Sequence, residues 1–167
     1  MRHAILTLVA ALLAIPALAG SAQDFAQKFA DEWAAENQLE TVTISPKMIE
    51  QMLGMSGGAG AGQDQRIMDA IKKLRSLRIV KANSDAQLYY QRAIDLLDRN
   101  STRFQQIDTF AKTDQEGAFY TRKNQQGETV ELVMVYLHQE KNSFVVVCCT
   151  GDIDEDFFRL LLNNFRY

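Results

Sequence analysis

Histidine and cysteine are scarce in this chain, and their scarcity excludes several kinds of catalytic and metal site. Among 167 residues there are two histidines, His3 and His138, and two cysteines, Cys148 and Cys149. His3 belongs to a segment that we predict to be removed, so His138 alone would remain. A zinc site built on two or three histidines is therefore excluded. The cysteines are adjacent, so the Cys-x-x-Cys redox motif is absent.

His138 is predicted to lie at a strand end beside a turn, where a surface histidine is the expected role. Antiparallel pairing around a turn at residues 140–141 places His138 opposite Ser143. The same register places Cys148 opposite Val133, well away from the histidine along the strands. A Cys/His catalytic pair is therefore disfavoured.

Cys148 and Cys149 are neighbours within a valine-rich strand. Successive side chains of a strand point to opposite faces, so these two thiols cannot join without distorting the peptide between them. We expect both to be buried as small apolar side chains.

Two further patterns begin like ligand sites but are incomplete. The glycine-rich stretch 54–63 lacks the Lys-Ser/Thr pair of a phosphate-binding loop, and we predict a flexible surface loop there. Acids recur over residues 152–156 as at the start of a calcium loop, but Phe157 and Asn163 occupy the places of its Gly and Glu. Capping of a following helix explains these acids. We predict no catalytic residue, no metal site and no cofactor.

The N-terminal segment has the composition of a secretion signal. After a basic start, Ala4–Ile15 carries no charge, and small residues then allow cleavage after Ala19 or Ala22. The apolar run is shorter than the ~20 residues of a membrane-spanning helix. We predict that residues 1–22 are removed and that residues 23–167 form a single periplasmic or secreted domain.

The charge balance bears on the kind of partner. The chain has 18 Lys and Arg against 21 Asp and Glu, a net charge of −3. A mildly acidic domain with both signs interspersed is a poor binder of nucleic acid and of anionic membranes. The predicted partner is an envelope protein or a second copy of the chain.

The remaining chain divides into segments of helical and of strand periodicity. Helices are predicted near residues 24–36, 46–53, 64–73, 85–99 and 154–165, and strands near 39–45, 74–82, 103–112, 118–123, 129–138 and 143–150. The short links after residue 100 favour antiparallel hairpins. We predict an α+β fold, with a largely antiparallel sheet of about five to six strands, helices packed mainly on one face and a C-terminal helix.

Finer expectations concern local packing. Asn83 and Ser84 are expected to cap the helix over 85–99, and Leu88 is expected on its inward stripe. Ile107 is expected on the apolar side of its strand. The two longest strands are apolar on both faces, so the second face is either covered by the N-terminal helix or is a partner surface.

Several segments together are similar to one known family. They are Ser45-Pro46-Lys47-Met48, the glycine-rich stretch, Leu74–Ile79, Phe144–Val147 and Thr150–Ile153. With the export signal, they resemble domain of unknown function 4252, whose members are small exported proteins or lipoproteins of Bacteroidetes-type bacteria. The resemblance implies a compartment and a single domain, and it carries over no functional residue. No Cys stands at the cleavage point, so we expect no lipid anchor and no stable membrane attachment.

These features favour a non-enzymatic envelope protein that binds another protein or a second copy of itself. Met48, Met52 and Met55 lie beside or within the glycine-rich stretch, and methionine-rich surfaces adapt to partners. Two alternatives stay open. A carboxylate-dependent hydrolase requires a deep pocket with two acids of raised pKa, and a small-molecule-binding protein requires a large apolar cavity between the sheet and its helices.

Overall fold

The computed structural model describes residues 23–48, 51, 69 and 72–159. The predicted signal segment 1–22, the predicted loop 54–63 and the methionines Met52 and Met55 lie outside the described residues, as does the end of the predicted C-terminal helix.

Six strands form one sheet in which every neighbouring pair is antiparallel. They are β1 (Glu40–Ile44), β2 (Leu74–Ala82), β3 (Gln105–Ala111), β4 (Gln115–Lys123), β5 (Thr129–His138) and β6 (Ser143–Gly151). The order across the sheet is β1-β2-β6-β5-β4-β3. The last four strands are a meander joined by short turns, and β2 pairs with its final strand. The predicted α+β fold is confirmed.

Two helices pack on one face of this sheet, which we call the helix face. They are α1 (Phe25–Glu32), followed by a 3-10 turn at Ala34–Glu36, and α2 (Ala86–Arg99). Asp24 begins α1, and its side chain accepts a hydrogen bond from Gln27 N at 2.8 Å, as an N-cap residue does. Residues 46–48 and 155–159 are also helical. Ser45 Oγ accepts a hydrogen bond from Met48 N at 3.3 Å, as an N-cap residue does.

The cap of α2 differs from the prediction. Asp85 occupies the N-cap position with φ 50°, and its side chain makes no capping bond. The side chain of Asn142, in the β5–β6 turn, instead accepts the hydrogen bond of Ala86 N at 3.1 Å. The prediction that Asn83 and Ser84 cap this helix is wrong, because the acceptor comes from a residue distant in sequence.

The main core lies between the helix face and the two helices. Its aromatic members are Phe25, Phe29, Tyr89, Phe104, Tyr120 and Phe144. Each large side chain removed from water contributes about 1.5–3 kcal/mol, so this layer is the principal source of stability. Leu88 was expected among its members, but it is 48% exposed on the outer side of α2. The buried residues of that helix are Ala86, Tyr89, Ala93, Leu96 and Leu97.

A smaller core lies on the opposite side of the sheet, which we call the second face. Leu132 and Cys149 are covered there by Ile153 and Phe157, which follow the last strand. Of the two roles predicted for this face, cover by the N-terminal helix is wrong, and a partner surface stays a prediction. α1 docks on the helix face, and residues C-terminal to β6 cover part of the second face instead.

The edge strand β3 also departs from simple alternation. Its pairing with β4 shifts register between Gln106 and Asp108, so a bulge forms at Ile107. Ile107 is exposed as a result, against the expectation that it faces the apolar side. After the bulge, the Phe110 side chain lies over Gly117, where it contacts the rings of Phe119 and Tyr136.

Candidate interaction site

A fully buried carboxylate lies between the sheet and the start of α1. Glu131 is 0% exposed, and it accepts hydrogen bonds from Phe25 N at 2.6 Å and from Arg122 Nε at 2.6 Å. The thiol of Cys148 also donates to it at 3.3 Å. Since Phe25 is the first residue of α1, this carboxylate satisfies a backbone N–H that the helix itself leaves unpaired.

A second ion pair lies beside the first. Asp24 Oδ2 accepts from Arg78 Nη1 at 2.6 Å, and both side chains are largely buried. The positive end of the α1 dipole favours both carboxylates at this position. We call Asp24, Arg78, Arg122 and Glu131 the α1 anchor, since together they fix the start of α1 to strands β2, β4 and β5.

Burial, and then the carboxylates of the anchor, favour the neutral form of the neighbouring thiol. Burial raises the pKa of Cys148 well above its ordinary value, and the negative charges of Glu131 and Asp24 raise it further. Cys149, on the second face, has its pKa raised to about 12 by burial. A nucleophilic cysteine needs the opposite shift. Both thiols are free and buried, as the sequence predicted.

His138 is buried rather than exposed, so the prediction of a surface histidine is wrong. It is 7% exposed, and its Nε2 lies 3.4 Å from Asp114 Oδ2. Asp114 stands in the turn before β4, and its backbone oxygen accepts from Gln139 N at 2.8 Å, so this turn lies against the strand end that carries His138. The predicted register is confirmed, since His138 pairs with Ser143 and Cys148 pairs with Val133.

The acids after β6 act as the sequence predicted. Asp154 Oδ1 accepts from Phe157 N at 2.9 Å, which caps the start of the helical residues 155–159. Its other oxygen lies 2.6 Å from Lys73 Nζ. The bond from Lys73 and then that from Phe157 N hold the pKa of Asp154 below its ordinary value. This geometry is that of a helix cap and a surface ion pair.

Next to the cover given by Ile153 and Phe157, the second face presents an apolar strip, of which Leu77 and Val147 pack against the smaller core. Its members lie on β1, β2 and β6 and are exposed or half-buried; they are Val42, Ile44, Leu77, Ile79, Val145 and Val147. Val42, Ile79 and Val147 stand side by side in one row across the three strands. Val42 is 46% exposed, as is Met48 just beyond the end of β1. A salt bridge of 2.8 Å between Lys81 and Glu40 borders the strip.

An open groove of about 510 Å³ lies at the start of α2. It is lined by Asp85, Gln87, Leu88, Gln91 and Asn142, four of which are polar. It does not match the enclosed apolar cavity that the small-molecule alternative requires. Within the described part of the chain, no helix is long and apolar enough to cross a membrane.

The α1 anchor was missed in the sequence, although one signal for it was present. Glu131 lies an even number of positions before Val133, Val135 and Leu137 on the same strand. The alternation of side chains along a strand therefore places its carboxylate on the buried face with them. A buried acid requires a cationic partner. No local pattern identifies Arg122 and Arg78 as the anchor's cations, since the register of β2 and β4 decides this.

The sheet, the two helices on one face and the internal ion pairs define a small α+β domain with a polar anchor beneath its first helix. The model of a domain of unknown function (DUF4252) matches residues 33–157, and the chain belongs to this family. The resemblance predicted from the sequence is confirmed. The match includes Arg78, Arg122 and Glu131 but begins after Asp24. No curated protein matches the chain.

Proposed function

We propose that this chain is an exported, non-enzymatic protein-interaction domain of the cell envelope, periplasmic or secreted, which binds a protein partner through the apolar strip. The observation that carries the proposal is the row of Val42, Ile79 and Val147, three branched apolar side chains left exposed or half-buried on adjacent strands. Contiguous apolar surface of this kind is typical of protein contacts. The charged pair at its border matches the polar rim of such interfaces.

The acids support this function better than they support the hydrolase alternative. Glu131 and Asp24 are the buried acids of the described residues, and each accepts hydrogen bonds from an arginine and from a backbone N–H. Among the described residues, the carboxyls with a shifted pKa are Glu36 and Asp154, and both shifts are downward. A general acid requires a raised pKa.

The test is site-specific photo-cross-linking in the native cell envelope. A photoreactive residue replaces Ile79 in the strip, and the matched control replaces Leu88, which is equally apolar and exposed on α2. The cross-linked protein is identified, purified and titrated against the wild-type chain. We expect Ile79→Lys to weaken that binding by about tenfold or more, as loss of a central apolar contact does. We expect Leu88→Lys to leave it unchanged.

Equal cross-linking from both positions, or equal affinity of the two lysine variants, would refute the proposed role of the strip. Circular dichroism and urea unfolding of each variant separate a binding defect from a folding defect.

A further inference from the structure

The two edges of the sheet differ in how they are protected. On the β3 edge, the bulge at Ile107 interrupts the ladder, and Asp108 Oδ1 accepts the backbone N–H of Thr109 at 2.9 Å. Bulges and side chains that use up backbone donors are devices by which proteins prevent pairing at an edge. This edge is therefore a poor template for a further strand.

The β1 edge has no such protection among the described residues. All five residues of β1 pair with β2 in unbroken register, from Glu40 opposite Lys81 to Ile44 opposite Leu77. Four of the five are exposed and the fifth is half-buried. β1 has one neighbouring strand in the sheet, so its outer backbone groups can hydrogen-bond to another extended segment.

The side chains of β1 specify what that segment must carry. Val42 and Ile44 continue the apolar rows of the second face, whereas Thr41 and Thr43 lie on the opposite face. A strand that pairs with β1 around Val42 therefore needs an apolar residue beside Val42 and small polar residues beside the threonines. The sequence Thr41-Val42-Thr43-Ile44 has this alternation itself.

We propose that β1 pairs antiparallel with β1 of a second copy of this chain, about a two-fold axis at Val42. Val42 then faces the partner's Val42, Thr41 faces the partner's Thr43, and Ile44 at the end of the contact faces the partner's Glu40. The contact is closed by symmetry, so it forms a dimer and not a fibre. This inference rests on the proposed interaction function, because it joins the apolar strips of two copies into one continuous surface for a shared partner.

The contact is small, and it belongs with interfaces under about 1,200 Å², which are typical of transient complexes. The dimer is therefore expected to form in a concentration-dependent way. Glu40, the one charged residue of β1, is neutralised by Lys81 of the neighbouring strand, so the two copies do not bring unpaired like charges together.

The test is a symmetric cross-link at the two-fold axis. Residues directly opposite in an antiparallel pair have Cα atoms about 4.5–5.5 Å apart, within the range of a disulfide. The variant Val42→Cys is oxidised with copper phenanthroline and compared with Ile107→Cys on the β3 edge, which is similarly exposed. Cys148 and Cys149 are buried in both variants, so the wild-type chain gives the background.

We expect Val42→Cys to form covalent dimers about tenfold faster than Ile107→Cys, because pairing raises the effective concentration of the thiols. We also expect Val42→Lys to abolish the dimer in analytical ultracentrifugation while its circular dichroism is unchanged.

Equal rates for the two cysteine variants, or a wild-type chain that stays monomeric at millimolar concentration, would overturn the β1 pairing. In that case, photo-cross-linking from Ile79 to a different protein would leave the proposed function intact, with that protein as the occupant. If Val42→Cys dimerises but Ile79 captures no partner, the pairing stands and the shared-partner role fails.

Discussion

The helix face and the second face of the sheet bury apolar residues in different ways. On the helix face, α1 and α2 cover an aromatic core, and the α1 anchor fixes the first helix through buried ion pairs. On the second face, Ile153 and Phe157 cover one part, while the apolar strip on β1, β2 and β6 stays exposed or half-buried. Both faces of the longest strands are apolar in sequence. The difference shows that apolar character specifies burial only where another element can reach.

The largest expected effect is on the helix face, at the α1 anchor. Arg122→Ala removes the cation from Glu131 and leaves a buried carboxylate without its charge partner. We expect the free energy of unfolding to fall by about 3–5 kcal/mol, the usual cost of breaking a buried pair on one side. Urea denaturation measures this change.

The double variant Arg122→Leu/Glu131→Leu is the control, since it removes both charges together. We expect it to recover much of the lost stability. If the double variant were as unstable as Arg122→Ala, the unpaired charge would not be the cause.

The next effect concerns the second face, where Phe110 lies over Gly117. A Cβ at position 117 would overlap the Phe110 ring and lie 2.8 Å from Val135 O. We expect Gly117→Ala to destabilise the protein by about 1–3 kcal/mol, as overpacking of a filled site does. The companion variant Phe110→Ala with Gly117→Ala relieves the ring overlap, and thermal unfolding of both tests whether the ring is the obstacle.

A smaller effect separates the two faces directly, through the two buried thiols. Cys148 lies beneath α1 and Cys149 beneath Ile153 and Phe157. Arg78→Ala loosens α1, so we expect the labelling rate of Cys148 to rise about tenfold or more, since bonds to charged groups contribute about 1.5–3 kcal/mol. Phe157→Ala is expected to accelerate Cys149 instead. Mass spectrometry after timed thiol labelling distinguishes them, and a variant that accelerated both equally would mean that the faces open together.

The smallest effect is the alkaline titration of the tyrosines. Burial first, and then the hydrogen bond to Glu36, raises the pKa of Tyr89 to about 12, and burial raises that of Tyr90 and Tyr120 to about 12 as well. Their folded pKa values exceed the unfolded value of 10.0, so their stabilising contribution is present below pH 10 and is lost as the pH rises towards 12. Ultraviolet titration measures the tyrosine pKa values of the folded chain, and unfolding over the same pH interval measures the loss of stability. Tyr89→Phe is the control, and it should reduce the decline in stability over that interval.

The sequence predicted the sheet well because its strands are defined by local signals. The β5–β6 pairing followed from a short turn, and the ends of β2 and β5 agree with the predicted bounds. The details that failed depend on distant residues. Asn142 caps α2 from another element, Asp114 contacts the buried His138, and α1 docks on a face that its own periodicity does not specify.

The candidate site likewise combines features that local sequence predicts with features that depend on distant residues. The alternation of side chains along each strand identifies the members of the apolar strip. Their exposure, however, depends on how far Ile153 and Phe157 extend over the second face. The α1 anchor needs residues from four separate elements, so its assembly could not be predicted from any one of them.

The bond between Phe25 N and Glu131 joins residues 106 positions apart. A chain is made from its N-terminus, so α1 emerges first but has no anchor until β5 exists. Although α1 is made before every strand, it is thus expected to dock only after the strands that carry Arg122 and Glu131 have paired. Every intermediate before that step lacks cover on the part of the helix face that α1 occupies, and completion of the sheet is the event that commits the N-terminal end to the native state.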